Sequence, residues 1–248
     1  MNIPTITGTI DRRILINFQV EAEVLDRYLP APFRPKLVEG KGIAGICLIR
    51  LKQVRPIWLP LKWGLSSENG AHRLAVEWTK EGQTKEGVYI PRRDTSSRLS
   101  SWAGGRIFPG VHHHAHFSVE EHDQTYHVAF QSQDHASLMI KAHETEQWNE
   151  QSVFDSVTCA SDFLENGSVG YSPDHATQAF EGLELQTYTW KVKPLAVTEL
   201  RSSFFENEAI FPKGSIQFDN ALLMKNIEHE WRSLRGLKAS EEALELQG

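Results

Sequence analysis

The order of hydrophobic and polar residues predicts a chain built mostly of β-strands. Apolar and polar residues that alternate with a period of two place successive side chains on opposite faces of a sheet. Such stretches, or stretches of β-rich composition, occur at residues 5–20, 35–38, 43–54, 73–79, 87–92, 112–120, 125–133, 135–143, 183–192, 197–205 and 215–227. Helical spacing predicts short helices at 21–29 and 152–165, and a third from a cap at 94–96 to about 106. The pattern indicates an α+β fold, predominantly antiparallel β, with a bent sheet or barrel and a few short helices.

The chain is predicted to form one domain. Its 248 residues fit one large domain, and residues 1–235 contain no internal repeat, low-complexity tract or linker-like change in composition. Residues 236–248 are polar and favour a helix. We therefore predict a single domain at 1–235 and a C-terminal tail at 236–248.

Three consecutive predicted strands carry most of the histidines. Eight of the 11 lie between positions 112 and 143. In the first of these strands the even positions are polar and the odd positions are mainly apolar, which predicts one wet and one dry face. A four-residue turn at 121–124 would pair His116 with Ala129. A three-residue turn at 133–135 would pair Val128 with Ile140 and His127 with Lys141.

The wet face of this strand carries His112, His114 and His116, and we call it the histidine face. The sequence leaves three interpretations of it open. Neutral imidazoles two residues apart point the same way on a strand, so His112, His114 and His116 could bind one metal ion. His114, His116 and Glu120 also match the core of the first cupin motif, although the glycines that flank that motif are missing. Alternatively, the face is simply solvated, or it lines a pocket in which the histidines act as hydrogen-bonding or acid-base groups.

Three segments resemble the uncharacterised YqjF-like domain family of the acetoacetate decarboxylase-like superfamily. They are RRILINFQVEAEVLDRYLP (12–30), GVYIPRRDTSSRLSSWAGGRIFPGVHHHAHFSV (87–119) and ALLMKNIEHEW (221–231). Their order and spacing span nearly the whole chain. The resemblance implies a bent, cone-like β-sheet around a small cavity with apolar walls.

The resemblance also directs attention to Arg106. In the decarboxylases, a lysine shortly after a glycine-arginine pair forms a Schiff base with a β-keto acid. Here Gly105 and Arg106 match the pair, but Gly110 and Val111 stand where the lysines are expected. The resemblance therefore implies that the Schiff-base lysine is absent and that Arg106 lies near the cavity. Its planar guanidinium could bind a ligand carboxylate there, or it could form an ion pair that holds the end of the predicted helix.

Other residues are weaker candidates for a site. Lys141 and His114 are the candidates for a catalytic group, Lys141 because it faces His127 across the predicted strands. Glu77 lies on the polar side of its strand and could bind a ligand or face solvent. Asp94 is predicted to cap a helix.

Composition limits the partners and the compartment. A net charge of -6 argues against a nucleic-acid partner. Cys47 and Cys159, the only cysteines, form no C-x-x-C pattern, so neither a disulfide framework nor a thiolate zinc site is predicted. With no secretion signal and no apolar run long enough to cross a bilayer, we expect a cytoplasmic protein without a membrane partner.

Two tryptophans, Trp58 and Trp63, lie in a proline-rich loop. They would either cover the mouth of the cavity or join two subunits, so the sequence is compatible with a homo-oligomer.

The leading hypothesis is a small-molecule-binding protein for an acidic or oxo-acid-like ligand, with no cofactor expected. One alternative is a metal-dependent, cupin-like enzyme that uses His112, His114 and His116. Another is a non-catalytic binding or assembly module. The sequence leaves open whether the protein is an enzyme.

Overall fold

The computed structural model describes residues 4–59, 64–98, 110–174 and 179–238. Most of these residues form strands, and two short helices accompany them. The helices are α1 (Ala22–Tyr28) and α2 (Val157–Asn166). The strands are β1 (Ile6–Glu21), β2 (Arg34–Pro35), β3 (Leu37–Val38), β4 (Lys41–Pro56), β5 (Leu65–Lys80), β6 (Gln83–Thr95), β7 (His112–His122), β8 (Thr125–Ser132), β9 (Ser137–Glu144), β10 (Val169–Asp174), β11 (Ala179–Thr187), β12 (Lys193–Ser202) and β13 (Ile216–Lys238). Among the described residues, no helix is long and apolar enough to span a bilayer.

The strands belong to one large sheet. Its order is β11-β10-β6-β7-β8-β9-β12-β13-β1-β4-β5-β2, with β3 beside β4. Additional pairings join β5 to β6 and β11 to β13, so the sheet curves back on itself. All neighbours are antiparallel except β6 with β7 and β6 with β10. The predicted fold class, α+β with predominantly antiparallel strands, is confirmed.

The central strands contribute to two hydrophobic cores. In β1, Ile14 and Ile16 belong to the larger core, whereas Leu15 belongs to the smaller one. Buried residues of β4 and β13 alternate between the two cores in the same way. The larger core also takes side chains from β8 and β9, and the smaller one takes side chains from α2. The central strands are thus covered on both faces, which accounts for their nearly continuous apolar runs.

The predicted register between β7 and β8 is wrong by two residues. The strands meet at His122 and Thr125, and the two residues between them have φ values of 42° and 66°. His116 consequently pairs with Gln131 and not with Ala129. A two-residue hairpin turn of type I′ needs positive φ at both central positions, and it is usually marked by Asn-Gly or Asp-Gly, which this sequence lacks here. Because the shift is an even number, the predicted faces of the strand are unchanged.

The predicted pairing of β8 with β9 is confirmed. Val128 lies opposite Ile140, and His127 lies opposite Lys141. Between β5 and β6, by contrast, the gap at 80–86 between the predicted strands 73–79 and 87–92 is too long. The strands continue to a two-residue turn at Glu81 and Gly82, because the polar residues around it form an exposed ribbon.

Asp94 is not a helix cap, which corrects another prediction. It lies inside β6, is 1 % exposed, and accepts hydrogen bonds from Arg92 and Ser132. Most of the helix predicted to follow it, from residue 99, lies outside the described residues. The other two predicted helices are present, although α2 begins at Val157, five residues later than expected, after a cap formed by Ser156.

Candidate functional site

The smaller core contains a cavity of about 100 Å³. It lies against strands β1, β4, β5, β6, β10, β11 and β13, and α2 contributes to its wall. Small residues make part of the lining, namely Ala71, Ala75, Gly87 and Gly170. Since these positions carry little or no side chain, they leave space above the face of the sheet that larger side chains would fill.

Three arginines line this cavity, each from a different strand. They are Arg13 of β1, Arg73 of β5 and Arg93 of β6. Alternation along β5 places Arg73 on the same face as Ala71 and Ala75. Within the residues that the structure describes, none of the three arginines has a carboxylate oxygen within 4.0 Å, the limit for a salt bridge. The cavity therefore carries positive charge that no carboxylate of the described residues neutralises.

Arg73 is the most deeply buried of the three, at 4 % exposed. Its Nη2 donates to Oδ1 of Asn17, whereas Nε and Nη1 have no hydrogen-bond partner among the described residues. Asn17 and Arg73 both pair with Gly45 of β4, on either side of it. A Cβ atom at Gly45 would collide with the carbonyl oxygen of Ile16 and lie 3.1 Å from Nη2 of Arg73. The glycine thus gives Arg73 the space to reach Asn17.

Arg13 lies between an aromatic ring and a thiol. Its Cζ atom is 5.6 Å from the centre of the Trp190 ring, and its Nη2 is 3.6 Å from Sγ of Cys47. Its Nε and Nη1 atoms are buried and, like those of Arg73, have no partner among the described residues. Unpaired buried donors of this kind cost free energy until an acceptor binds them.

Arg93 contributes a third cation at another wall of the cavity. Its Nε and Nη2 atoms each lie 3.3 Å from Oγ of Ser172. Burial lowers the pKa of Arg93 to about 10, so the side chain stays protonated at neutral pH. Burial and the charge of Arg93 lower the pKa of His112 to about 4, which keeps that imidazole neutral.

Cys47 lines the cavity together with the three arginines. Its side chain is buried in β4, where Cys47 pairs with Leu15 on one side and Ala71 on the other. Burial by itself raises the pKa of a thiol, but the charges of Arg13 and Arg73 and the hydrogen bond from Arg13 outweigh that effect. The pKa of Cys47 consequently lies below its usual value, which favours the thiolate.

The residues predicted from the sequence lie in several places. Arg106 is outside the described residues. The ring of His112 is partly buried, with Nδ1 3.2 Å from the carbonyl oxygen of Gly110. His114 and His116 are not among the residues that line the cavity, and His116 is exposed in a separate surface depression.

The acidic and basic candidates form ion pairs near the surface. Glu77 is half-buried and its Oε1 lies 3.4 Å from Nη2 of Arg34. Nζ of Lys141 lies 2.7 Å from Oε2 of Glu199, and both side chains are nearly half exposed. Glu77 and Lys141 are likewise not cavity-lining residues. Their predicted roles stay predictions.

The histidine face does not form an evident metal centre. Across residues 4–59, 64–98, 110–174 and 179–238, no group of three or more His, Cys, Asp and Glu side chains is arranged to hold a metal ion. His112, His114 and His116 belong to these ranges. Their use as metal ligands stays an untested alternative.

Sequence reasoning missed all three cavity arginines. Strand alternation does place Arg73 on the same face as Glu77, but we expected that face to meet solvent. Arg13 follows another arginine and precedes an apolar run, a pattern that also suits a strand end at the surface. The available signal was a charged residue within a strand that is apolar on both faces, because such a residue needs a buried partner or a ligand.

Solved structures with this fold include enzymes. An acetoacetate decarboxylase from Legionella pneumophila superposes with a TM-score of 0.61 at 10% sequence identity, covering 94% of this chain and 88% of that one. The enduracididine biosynthesis enzyme MppR, complexed with pyruvate, gives 0.61 at 9% identity, covering 98% of this chain and 92% of its own. An acetoacetate decarboxylase-like enzyme from Sphingomonas wittichii gives 0.58 at 9% identity, covering 97% and 94%. These likenesses establish the fold.

No curated protein matches the chain. The model of a protein family does match it, over residues 7–221, and the description of that family is "Uncharacterized conserved protein (COG2071)". The match covers most of the chain, and it confirms the resemblance found in the sequence. The chain belongs to the DUF2071 family, which is YqjF-like and has the acetoacetate decarboxylase-like fold.

Proposed function

We propose that the protein binds a small organic acid of the oxo-acid type in the cavity, with its carboxylate held by Arg13 and Arg73. The observation that carries this proposal is the pair of buried guanidinium groups whose Nε and Nη1 atoms have no partner in the described part of the chain. A buried donor without an acceptor costs about 1–3 kcal/mol. A carboxylate accepts two parallel hydrogen bonds from one guanidinium, so it would remove this cost and neutralise the charge.

The size and walls of the cavity fit a small acid. About 100 Å³ holds a molecule of only a few carbon atoms, and Trp190 and Phe163 offer apolar surface to the part that is not charged. The structure of MppR was determined with pyruvate, a 2-oxo acid. That neighbour supports the choice of ligand class.

Schiff-base chemistry is not part of the proposal. Among the described lysines, Lys36 alone lines the cavity. Its Nζ lies 2.5 Å from Oε2 of Glu86 and 4.4 Å from the centre of the Phe163 ring. An ammonium group held by a carboxylate and an aromatic ring is a poor source of the free amine that a Schiff base requires.

Calorimetric titration with pyruvate and with acetoacetate tests the binding. We expect saturable binding of at least one acid, and a loss of about tenfold or more in affinity for Arg73→Met, because a charge-assisted hydrogen bond is removed. Arg201→Met is the matched control, since Arg201 is 71 % exposed and pairs with Glu206 on the surface. Absence of binding by the wild-type protein, or equal affinities for both variants, would overturn the proposal.

Borohydride reduction in the presence of either acid tests the chemistry. We expect no covalent lysine adduct by mass spectrometry. A stable adduct at Lys36, or at any other lysine, would show that Schiff-base chemistry is retained.

Assembly through the tryptophan loop stays a second hypothesis, with one observation in its favour. Trp58 is 69 % exposed, and the neighbouring Ile57 and Leu65 are about half exposed; Trp63 lies outside the described residues. Light scattering of Trp58→Ser is the test. A mass equal to that of the wild-type protein would count against assembly through this loop.

A further inference from the structure

We propose that Cys47 is a nucleophile of the cavity and adds reversibly to the carbonyl carbon of the bound oxo acid. This inference rests on the proposed function, because it requires a ligand whose carboxylate is held by the arginines. It goes further by assigning the reacting atom, Sγ of Cys47, and by requiring a carbonyl group beside the carboxylate.

The first argument is the position of the thiol. Cys47 lines the same cavity as the three arginines, although it is only 3 % exposed. Its neighbours across the sheet are Leu15 and Ala71, which carry no polar side-chain atoms. The polar group that contacts Sγ is the guanidinium of Arg13, so a carboxylate bound to that guanidinium lies beside the sulfur.

The second argument is the charge around the sulfur. Arg13 Nη2 is 3.6 Å from Sγ, and Arg73 lies close enough to lower the pKa of the thiol together with Arg13. Thiolates, not thiols, are the nucleophilic form of cysteine, and neighbouring cations stabilise them. No carboxylate among the described residues lies within salt-bridge distance of Arg13 or Arg73 to cancel this effect.

The third argument comes from the arginines themselves and is independent of the sulfur. Arg73 is 4 % exposed and lines the cavity, and its Nε and Nη1 atoms have no hydrogen-bond partner among the described residues. Such donors call for an anion in the cavity. An anion held by both Arg73 and Arg13 lies within a few ångströms of Cys47, since Arg13 contacts Sγ directly. Proximity of this kind is a large contribution to the rate of a covalent step.

The proposed addition is balanced without an oxidant or a further reactant. The lone pair of Sγ forms a bond to the carbonyl carbon, and the π electrons of the carbonyl group move to its oxygen. That oxygen takes up the proton released when the thiol ionised. The product is a thiohemiketal, and the reverse reaction restores the free oxo acid.

Competition between two alkylating reagents tests the inference. Iodoacetate carries a carboxylate and iodoacetamide does not, while both alkylate thiolates. The rate at each cysteine is measured by peptide mass spectrometry on the whole protein. Cys159 is exposed on α2 and has no role in the cavity, so it serves as the reference thiol within the same molecule.

We expect the ratio of the iodoacetate rate to the iodoacetamide rate to be about tenfold higher at Cys47 than at Cys159, the effect of one charge-assisted hydrogen bond on a rate. Arg73→Met should remove most of this difference, and pyruvate should protect Cys47 alone. Equal ratios at the two cysteines, or a Cys47 that reacts with neither reagent, would overturn the inference.

Carbon NMR with pyruvate labelled at the carbonyl carbon observes the adduct directly. We expect a protein-bound signal from a tetrahedral carbon that is absent with Cys47→Ala and present with Cys159→Ser. Calorimetric binding of pyruvate without this signal would refute the thiohemiketal and leave the proposed function standing. Selective alkylation by iodoacetate without any binding of oxo acids would refute the proposed function instead.

Discussion

The position of Arg73 depends on polar residues that lie outside the cavity. Asn17, which accepts from Arg73, donates through Nδ2 to Oδ1 of Asn220 at 2.7 Å. Asn220 in turn donates to Oδ1 of Asp219 at 2.5 Å, and that oxygen also accepts from Oγ of Ser152 at 2.7 Å. This network of hydrogen bonds connects Arg73 to the loop that precedes α2. Individual polar residues therefore set the geometry of the site.

Gly45→Ala tests this dependence. The added methyl group would collide with the Ile16 carbonyl oxygen and crowd Arg73, so we expect a loss of about 1–3 kcal/mol in the free energy of unfolding and weaker binding of the acid. Urea denaturation and calorimetric titration measure the two effects.

Gly40→Ala is the control for that experiment. A Cβ atom at Gly40 meets nothing within 4 Å, although the residue has a φ of +77°. This variant should lose stability through backbone strain alone and keep its affinity for the acid. Unchanged binding in Gly45→Ala would contradict the role of the glycine in placing Arg73.

At the scale of single elements, the β7–β8 hairpin offers a second test. Asp123 and Gln124 have φ values of 42° and 66°, a conformation that Asn and Gly adopt with less strain. The double variant Asp123→Asn with Gln124→Gly should therefore raise the free energy of unfolding by roughly 0.5–1 kcal/mol. Thermal and urea denaturation measure it. A double variant that is less stable than the wild-type protein would contradict the turn geometry.

The elements also show what sequence reasoning can and cannot recover. Alternation predicts the strands and the faces of β7, because burial of one face fixes the parity of side chains. It does not fix hairpin lengths, since these depend on φ angles at residues such as Gln124. Nor does it distinguish the two faces of β5, so Arg73 and Ala75 could be placed on one face but not assigned to a cavity. That assignment depends on which distant strands close over them.

At the scale of the whole molecule, buried histidines make stability depend on pH. Burial lowers the pKa of His72 to about 3, and it lowers the pKa values of His112 and His229 to about 4. In the unfolded chain these residues titrate near 6.5. Between about pH 6.5 and 4 the unfolded state therefore binds protons that the folded state does not, and stability falls as the pH falls. Each histidine contributes about 1.4 kcal/mol per pH unit in this window.

Urea denaturation between pH 7 and pH 5 measures this dependence. Above about pH 5 most carboxylates stay ionised in both states. The slope of the free energy of unfolding against pH is therefore set mainly by proton uptake at the histidines. We expect His229→Phe to have a smaller slope than the wild-type protein, and His122→Gln, at an exposed position, to keep it. Equal slopes for all three proteins would show that folding does not lower the pKa of His229.

The sharing of strands between two cores has a further consequence, for hydrogen exchange. The strands that line the cavity on one face, β1, β4 and β13, also cover the larger core on the other. Local opening of the cavity wall would therefore expose both cores at once. Amide hydrogens of Leu15 and Cys47 should exchange only through global unfolding. A bound acid should raise the free energy of that unfolding by the amount that its binding contributes, and exchange at both residues should slow accordingly. The proposed ligand site and the part of the chain that we expect to be most protected from exchange are therefore formed by the same strands.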